Sequence, residues 1–331
     1  MQGKGSERTQ VTAIPLAVVH GLLVVPGYGL RISVHHGRLQ VRNSYLGTEA
    51  HLELTRATAG LKRLVVIGHS GFITFDAIRW LHDVGASYTQ VDGDSRLLAS
   101  YSPAGANDAR LRTAQALAAT GDLGLSIAKR LIAEKLAAQQ HLLESLGHST
   151  DSMLGPVVEA RANINGTVNA EELRWCEAAA ASAYWNALAE IPMRFVRAEL
   201  RRVPRHWLTF GSRHSTLTDS PRKAISPAQS ITNFLYKILE SETRIALLAM
   251  GLDPECSGLL HSLQRYRSSF ALELIEPVRP RVDQFVRELL ATPVFSPSAF
   301  AEPRAGSCPL MPHRARVRAK THPSWRPYAR P

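Results

Sequence analysis

The chain has 331 residues, 45% hydrophobic and 20% charged, which is enough to fill two cores and is the composition of a globular protein rather than a disordered one. No apolar run reaches the length of a bilayer span, and the opening MQGKGSERTQ leads into no apolar signal segment, so a cytoplasmic protein without a membrane partner is expected. The net charge of +11 favours a polyanionic partner, and three scattered cysteines without a CxxC weigh against a cysteine zinc centre.

In chain order, IPLAVVHG, LLVVPGYG, LRISVHHG, RLQVRN and KRLVVIGH read as short strands, β-branched and punctuated by Gly or Pro. TFDAIRWLHDVGA predicts a short helix with Phe75, Ile78, Leu81 and His82 on one face and Gly85 as its stop. SYTQVDGD and RLLASYS then predict a hairpin around Asp92-Gly93. From about Asn107 the period becomes helical. DARLRTAQALAAT, a long amphipathic DLGLSIAKRLIAEKLAAQQHLLESLG capped by Asp122, AEELRWCEAAAASAYWNALAEI and PAQSITNFLYKILESETRIALLAMG follow one another. PVRPRVDQFVRELLA closes the series with an apolar stripe of Val278, Val282, Phe285, Val286 and Leu289. The expected fold class is α+β: a small N-terminal β-rich domain over 1–105, a larger all-α domain over 106–295, and a basic, disordered tail over 296–331.

Four stretches carry candidate chemistry. Gly68-His69-Ser70-Gly71 after a strand has the outline of a nucleophile elbow, but Phe72 stands where a small residue is wanted, so a tight strand-to-helix turn is the better reading. MRFVRAELRRVPRHW gathers Arg194, Arg197, Arg201, Arg202 and Arg205 on one expected helix, and the loop after it adds Arg213, Arg222 and Lys223. Such a cluster is either a solvated face or a phosphate-binding surface. Glu177 sits among small residues on a helix, and His261 follows Gly258-Leu-Leu. Taken singly they read as an exposed helix residue and a satisfied core histidine. Glu273 and Glu276, three apart in FALELIEP, would share a face of a helix, and buried carboxylates need a partner, of which a metal ion is one.

Together, RWCEAAAASAYW, GLDPECSGLLHS and ALELIEPVRP resemble the three active-site motifs of the CRISPR-associated endonuclease Cas1, the spacer-acquisition integrase family. ISPAQSITNFLYKILESETRIALLAMGLDP and VVIGHSGFITFDAIRWLHDVGASYTQVDGDSRLL are similar to further parts of that family, so the resemblance covers roughly residues 12–295. It implies that Glu177, His261 and Glu276 hold one Mg²⁺ or Mn²⁺, with Glu273 assisting catalysis where the family usually has Asp. Hard divalent ions suit such a carboxylate-rich set. It further implies attack of a DNA 3′-hydroxyl on a phosphodiester, inserting prespacer DNA at a leader–repeat junction in antiviral defence, with hydrolysis when water replaces the hydroxyl. A homodimer formed through the β-rich domain is implied, as are two such dimers bridged by a Cas2 dimer in a heterohexamer. Arg194, Arg197, Arg201, Arg202, Arg205, Arg213 and Lys223 are the candidate phosphate contacts on double-stranded DNA. The alternative is a DNA-binding scaffold of the same assembly, weakened in catalysis by Glu273 and an atypical basic tail.

Overall fold

The computed structural model describes residues 16–26, 29–45, 48–92, 97–103, 109–118, 121–147, 151–212, 224–256, 259–260, 269–292, 295–301 and 308. They fall into a β-rich unit within residues 1–92 and 98–103 and a helical unit that takes in Leu97 and the described residues from 109 onward. A β-rich region followed by a larger helical one is the α+β class expected.

The β-rich unit holds eight strands: β1 (Leu22–Pro26), β2 (Leu30–His35), β3 (Arg38–Tyr45), β4 (Thr48–Leu54), β5 (Arg63–Ile67), β6 (Gly71–Ile73), β7 (Ser87–Val91) and β8 (Leu97–Tyr101). One sheet has the order β1-β5-β7-β8, with β1, β5 and β7 parallel. β5, inside this sheet, is a near-continuous apolar run, as a strand covered on both faces requires, whereas β7 carries Ser87, Thr89 and Gln90. The other sheet, β4-β3-β2-β6, is an antiparallel meander with β6 added parallel to β2. Leu23, Val25, Ile32, Leu39, Val41, Leu64 and Trp80 fill one core from the two sheets and the helix α1 (Phe75–Asp83).

The Gly68–Gly71 stretch carries the chain from the first sheet to the second, not a nucleophile. At Gly71, φ is +147°, and a Cβ there would lie 2.3 Å from the carbonyl oxygen of Leu30. Only glycine permits that approach. The expected face of α1 is corrected: Ala77, Trp80 and Leu81 are buried, whereas Phe75 is 95% exposed. The Trp80 indole donates to the carbonyl of Gly37 at 3.0 Å, which turns the helix that way. Among the described residues before Leu22 there is only an isolated bridge at Val19 rather than a strand, and β4 is a strand not among those expected.

The helical unit comprises α2 (Ala109–Ala118), α3 (Asp122–Ser145), α4 (Asp151–Asn163), α5 (Ala170–Ala189), α6 (Pro227–Ala249), α7 (Ser269–Leu274) and α8 (Arg279–Ala291). Gly121, not Asp122, is the N-cap of α3, and Asp122 sits in the first turn, where a carboxylate complements the helix dipole. Asn169 and Ser226 cap α5 and α6 through side-chain oxygens that accept from Glu172 N–H and Gln229 N–H. α4 is a further addition, because Gly155-Pro156 reads as a break. The arginine-rich stretch is not the expected helix. It runs as two 3₁₀ turns, Arg197–Arg202 and Arg205–Trp207, separated by Val203-Pro204. Pro204 denies its predecessor the α region and removes a donor.

One core runs through this unit, with Ile132, Leu136, Tyr184, Leu188, Val286 and Leu290 at its centre. Ser296–Phe300 continues the packed chain beyond residue 295: Ala299 and Phe300 are buried, and the Cys308 N–H donates to the Ala224 carbonyl at 2.7 Å. The rest of the expected tail lies outside the described residues.

Candidate functional site

A cleft of about 230 Å³ opens among α3, α5, α6 and the α7–α8 turn. Its walls include Lys135, Gln139, Arg174, Glu177, Glu276 and Arg279. Two of the carboxylates expected to act together do meet here, on a cation supplied by the chain. Lys135 Nζ lies 2.5 Å from Glu177 Oε1 and 2.6 Å from Glu276 Oε2. Arg279 Nη1 holds the other oxygen of Glu276 at 2.6 Å. Burial opposes the charge on Lys135, but Glu276 and then Glu177 outweigh it and hold the amine above its ordinary pKa.

The local folding explains how Glu276 gets there. α7 ends at Leu274, and Ile275–Val278 form a turn that Pro280 starts anew as α8. Glu276 therefore lies in a turn, and the shared helical face expected for Glu273 and Glu276 does not form. Glu273, 2% exposed, points elsewhere: its Oε1 accepts the Leu260 N–H at 3.0 Å. Arg174 Nη1 donates to the Leu260 carbonyl at 3.1 Å. The peptide groups on both sides of Leu260 are thus fixed immediately before His261, which itself lies outside the described residues. Further back on the same segment, Gln115 Nε2 donates to the Asp253 and Cys256 carbonyls at 2.7 and 3.0 Å, and its Oε1 accepts the Asp253 N–H at 2.9 Å.

Behind the acids lies a buried carboxylate, Asp283, which accepts from the hydroxyls of Tyr184 at 2.7 Å and Tyr236 at 2.6 Å. Burial, reinforced by Asp283 and then Tyr236, pushes the Tyr184 hydroxyl well above its usual pKa, so it stays a donor. The Arg279 guanidinium lies 5.1 Å from the centre of the Tyr236 ring. Asp283 braces the helix that presents Arg279 to Glu276.

Lys135, Gln139, Arg174 and Arg279 join the site without having been singled out by the sequence motifs. For the first two a signal exists: the buried stripe of α3 runs Ala128, Ile132, Lys135, Leu136, Gln139, Leu142 and Leu143. A lysine and a glutamine at positions of an apolar stripe mark a polar cavity.

No cluster of three or more His, Cys, Asp or Glu ligands forms among the described residues. The two acids that are described nevertheless fit a hard cation. They converge on one ammonium, a stand-in charge, and Gln139 presents a buried Oε1 without a hydrogen-bond partner in the same cleft wall. Oxygen donors of this kind suit Mg²⁺ or Mn²⁺.

Of the basic residues, Arg194, Arg197, Arg201, Arg202 and Arg205 are exposed. Between them Met193, Phe195 and Trp207 are buried and anchor the segment. Arg213, Arg222 and Lys223 lie outside the described residues. No helix among the described residues is long and apolar enough to cross a membrane.

Comparison with known proteins places this geometry in a family. Residues 23–319 match the family described as CRISPR associated protein Cas1. The CRISPR-associated endonuclease Cas1 1 of Archaeoglobus fulgidus is 27% identical over 287 residues, covering 81% of this chain and 78% of that protein. Among solved structures, a casposase bound to integration product superposes with a TM-score of 0.73 at 22% identity, covering 89% of this chain and 79% of that one. A Cas6-RT-Cas1–Cas2 complex superposes with a TM-score of 0.65 at 17% identity, covering 95% of this chain and 32% of the larger one. At these identities the two structures show a shared fold.

Proposed function

Since the chain belongs to the Cas1 family of CRISPR-associated proteins, we propose that it is a metal-dependent DNA endonuclease and integrase of CRISPR adaptation. The observation that carries the reading is the meeting of Glu177 and Glu276 on a single cationic point in an open cleft. Glu177 and Glu276, with His261 from the adjoining segment, would hold one Mg²⁺ or Mn²⁺. When bound, such an ion supplies Lewis-acid polarisation of the phosphodiester and stabilises attacking and leaving oxygens.

The chain's own residues do the remaining work. Glu276 is fixed by Arg279, whose position is in turn set by Tyr236 and Asp283 through α8. Glu273 and Arg174 orient the peptide groups that deliver His261. Arg174 and Arg279 give the cleft wall positive charge suited to a phosphate. The exposed arginines from Arg194 to Arg205 would neutralise phosphates of double-stranded DNA and set its register. The bond formed joins a DNA 3′-oxygen to phosphorus, and the bond broken releases the neighbouring 3′-oxygen of the target strand. With water as attacker the same site cleaves. A Cas2 partner is supported by the complex of similar fold, and two homodimers bridged by a Cas2 dimer complete the reading.

The test is a half-site integration assay with purified protein, Mn²⁺, a prespacer duplex with free 3′-hydroxyls and a leader–repeat duplex as target. Wild type is expected to join the ends, while Glu177→Ala and His261→Ala lose product by about 100-fold or more, the size of effect seen when a group stabilising the transition state is removed. Equal product from all three would refute the assignment. DNA binding without product in the wild type would favour the weakened scaffold.

A further inference from the structure

We infer that Lys135 is a resident counter-ion of this site, which keeps the two acids together in the absence of metal and must withdraw when a divalent cation binds. The inference rests on the metal reading above and concerns what the chain does before loading.

Three features point to it. The ammonium meets the two expected ligand acids at once, through Glu177 Oε1 and Glu276 Oε2. These are the oxygens that a cation between the two acids would take, and two cations cannot occupy one gap. Next, Lys135 is 8% exposed, so its charge is offset by the acids and not by bulk water. Last, it projects from the apolar stripe of α3, between Ile132 and Leu136, where Leu or Met would pack at no electrostatic cost. Packing alone does not explain a lysine there. Its partners do: without it, Glu177 and Glu276 would repel across a partly buried cleft until another cation took its place. Once displaced, the ammonium remains tethered by its flexible stem in the wall that also carries Arg174 and Arg279.

Two measurements on the full-length protein test this. In wild type, Lys135 acetylation by an amine-reactive reagent is followed by peptide mass spectrometry with and without Mn²⁺, with exposed Lys62 as reference. Bound Mn²⁺ is read in parallel by electron paramagnetic resonance. Labelling of Lys135 is expected to rise several-fold on Mn²⁺ binding. In Lys135→Met, the competitor is gone, and the Kd for Mn²⁺ is expected to fall by about tenfold, equivalent to roughly 1.4 kcal/mol. Bound Mn²⁺ with unchanged or reduced labelling of Lys135 overturns the inference, as does equal or weaker Mn²⁺ affinity in folded Lys135→Met. Absence of bound Mn²⁺ from wild type and variant alike overturns the metal reading itself, and this inference with it.

Discussion

The two units bury different things. Among the described residues, the buried polar side chains of the β-rich unit are Gln40, Asn43, Ser87 and Thr89, none of them charged. The helical unit buries Lys135, Glu240, Glu273 and Asp283. A charge withdrawn from water costs several kcal/mol unless it is paired and hydrogen-bonded. The first unit avoids that cost and the second bears it repeatedly, in and around one cleft. A fold that needed only stability would not do so, and the contrast separates scaffold from chemistry.

The largest expected effect strikes the apolar side. Trp80→Ala removes a fully buried indole together with its hydrogen bond to Gly37, and should cost about 3–5 kcal/mol in chemical denaturation. Mn²⁺ binding by the folded fraction should be unchanged, and a parallel loss would break the division between the units. On the charged side, Glu273→Ala strips the acceptor from the Leu260 N–H and should cost about 1–3 kcal/mol. Strand transfer should fall about 10–100-fold, as for other groups that orient a ligand. Glu273→Gln keeps the acceptor oxygen and should retain most activity. If Gln proves as damaging as Ala, the charge rather than the hydrogen bond is what matters. The smallest effect on stability is expected at the surface. Arg201→Ala with Arg202→Ala should shift folding by no more than about 0.5 kcal/mol. The slope of log affinity for DNA against log salt should flatten by about 1 for each phosphate left without its arginine. An unchanged slope would return these arginines to the solvated face.

How much of this is legible in the sequence differs between the same regions. Alternating or continuous apolar runs expose β2, β3, β5 and β7, and 3.6-residue periodicity exposes α3, α5, α6 and α8. β4 alternates Ala50, Leu52 and Leu54 with Glu49, His51 and Glu53, which is a strand period, but it escapes a reading that looks for β-branched residues because it has none after Thr48. The arginine segment reads as a helix by composition, yet Pro204 and the bridges from Pro192 to Thr209 and from Phe195 to Phe295 impose another path. Such pairings over a distance leave no local trace. The acids at the site are legible as residue types, and the motifs locate them. Their division of labour is not, since it depends on where α7 stops. A helix one turn longer would have put Glu273 beside Glu276; ending at Leu274, it sends one acid to a backbone amide and the other to Lys135.

The bonds of Gln115 bear on how the helical unit opens. α2 contributes no fully buried residue, so little apolar burial ties it down. Its amide instead saturates three backbone groups of Asp253 and Cys256. Peeling α2 away strands those groups, and loosening the 253–256 segment strands the amide, so either event favours the other. Two stretches far apart in sequence thereby become one cooperative unit of local unfolding, and order in the approach to the cleft is inherited from a helix that does not line it.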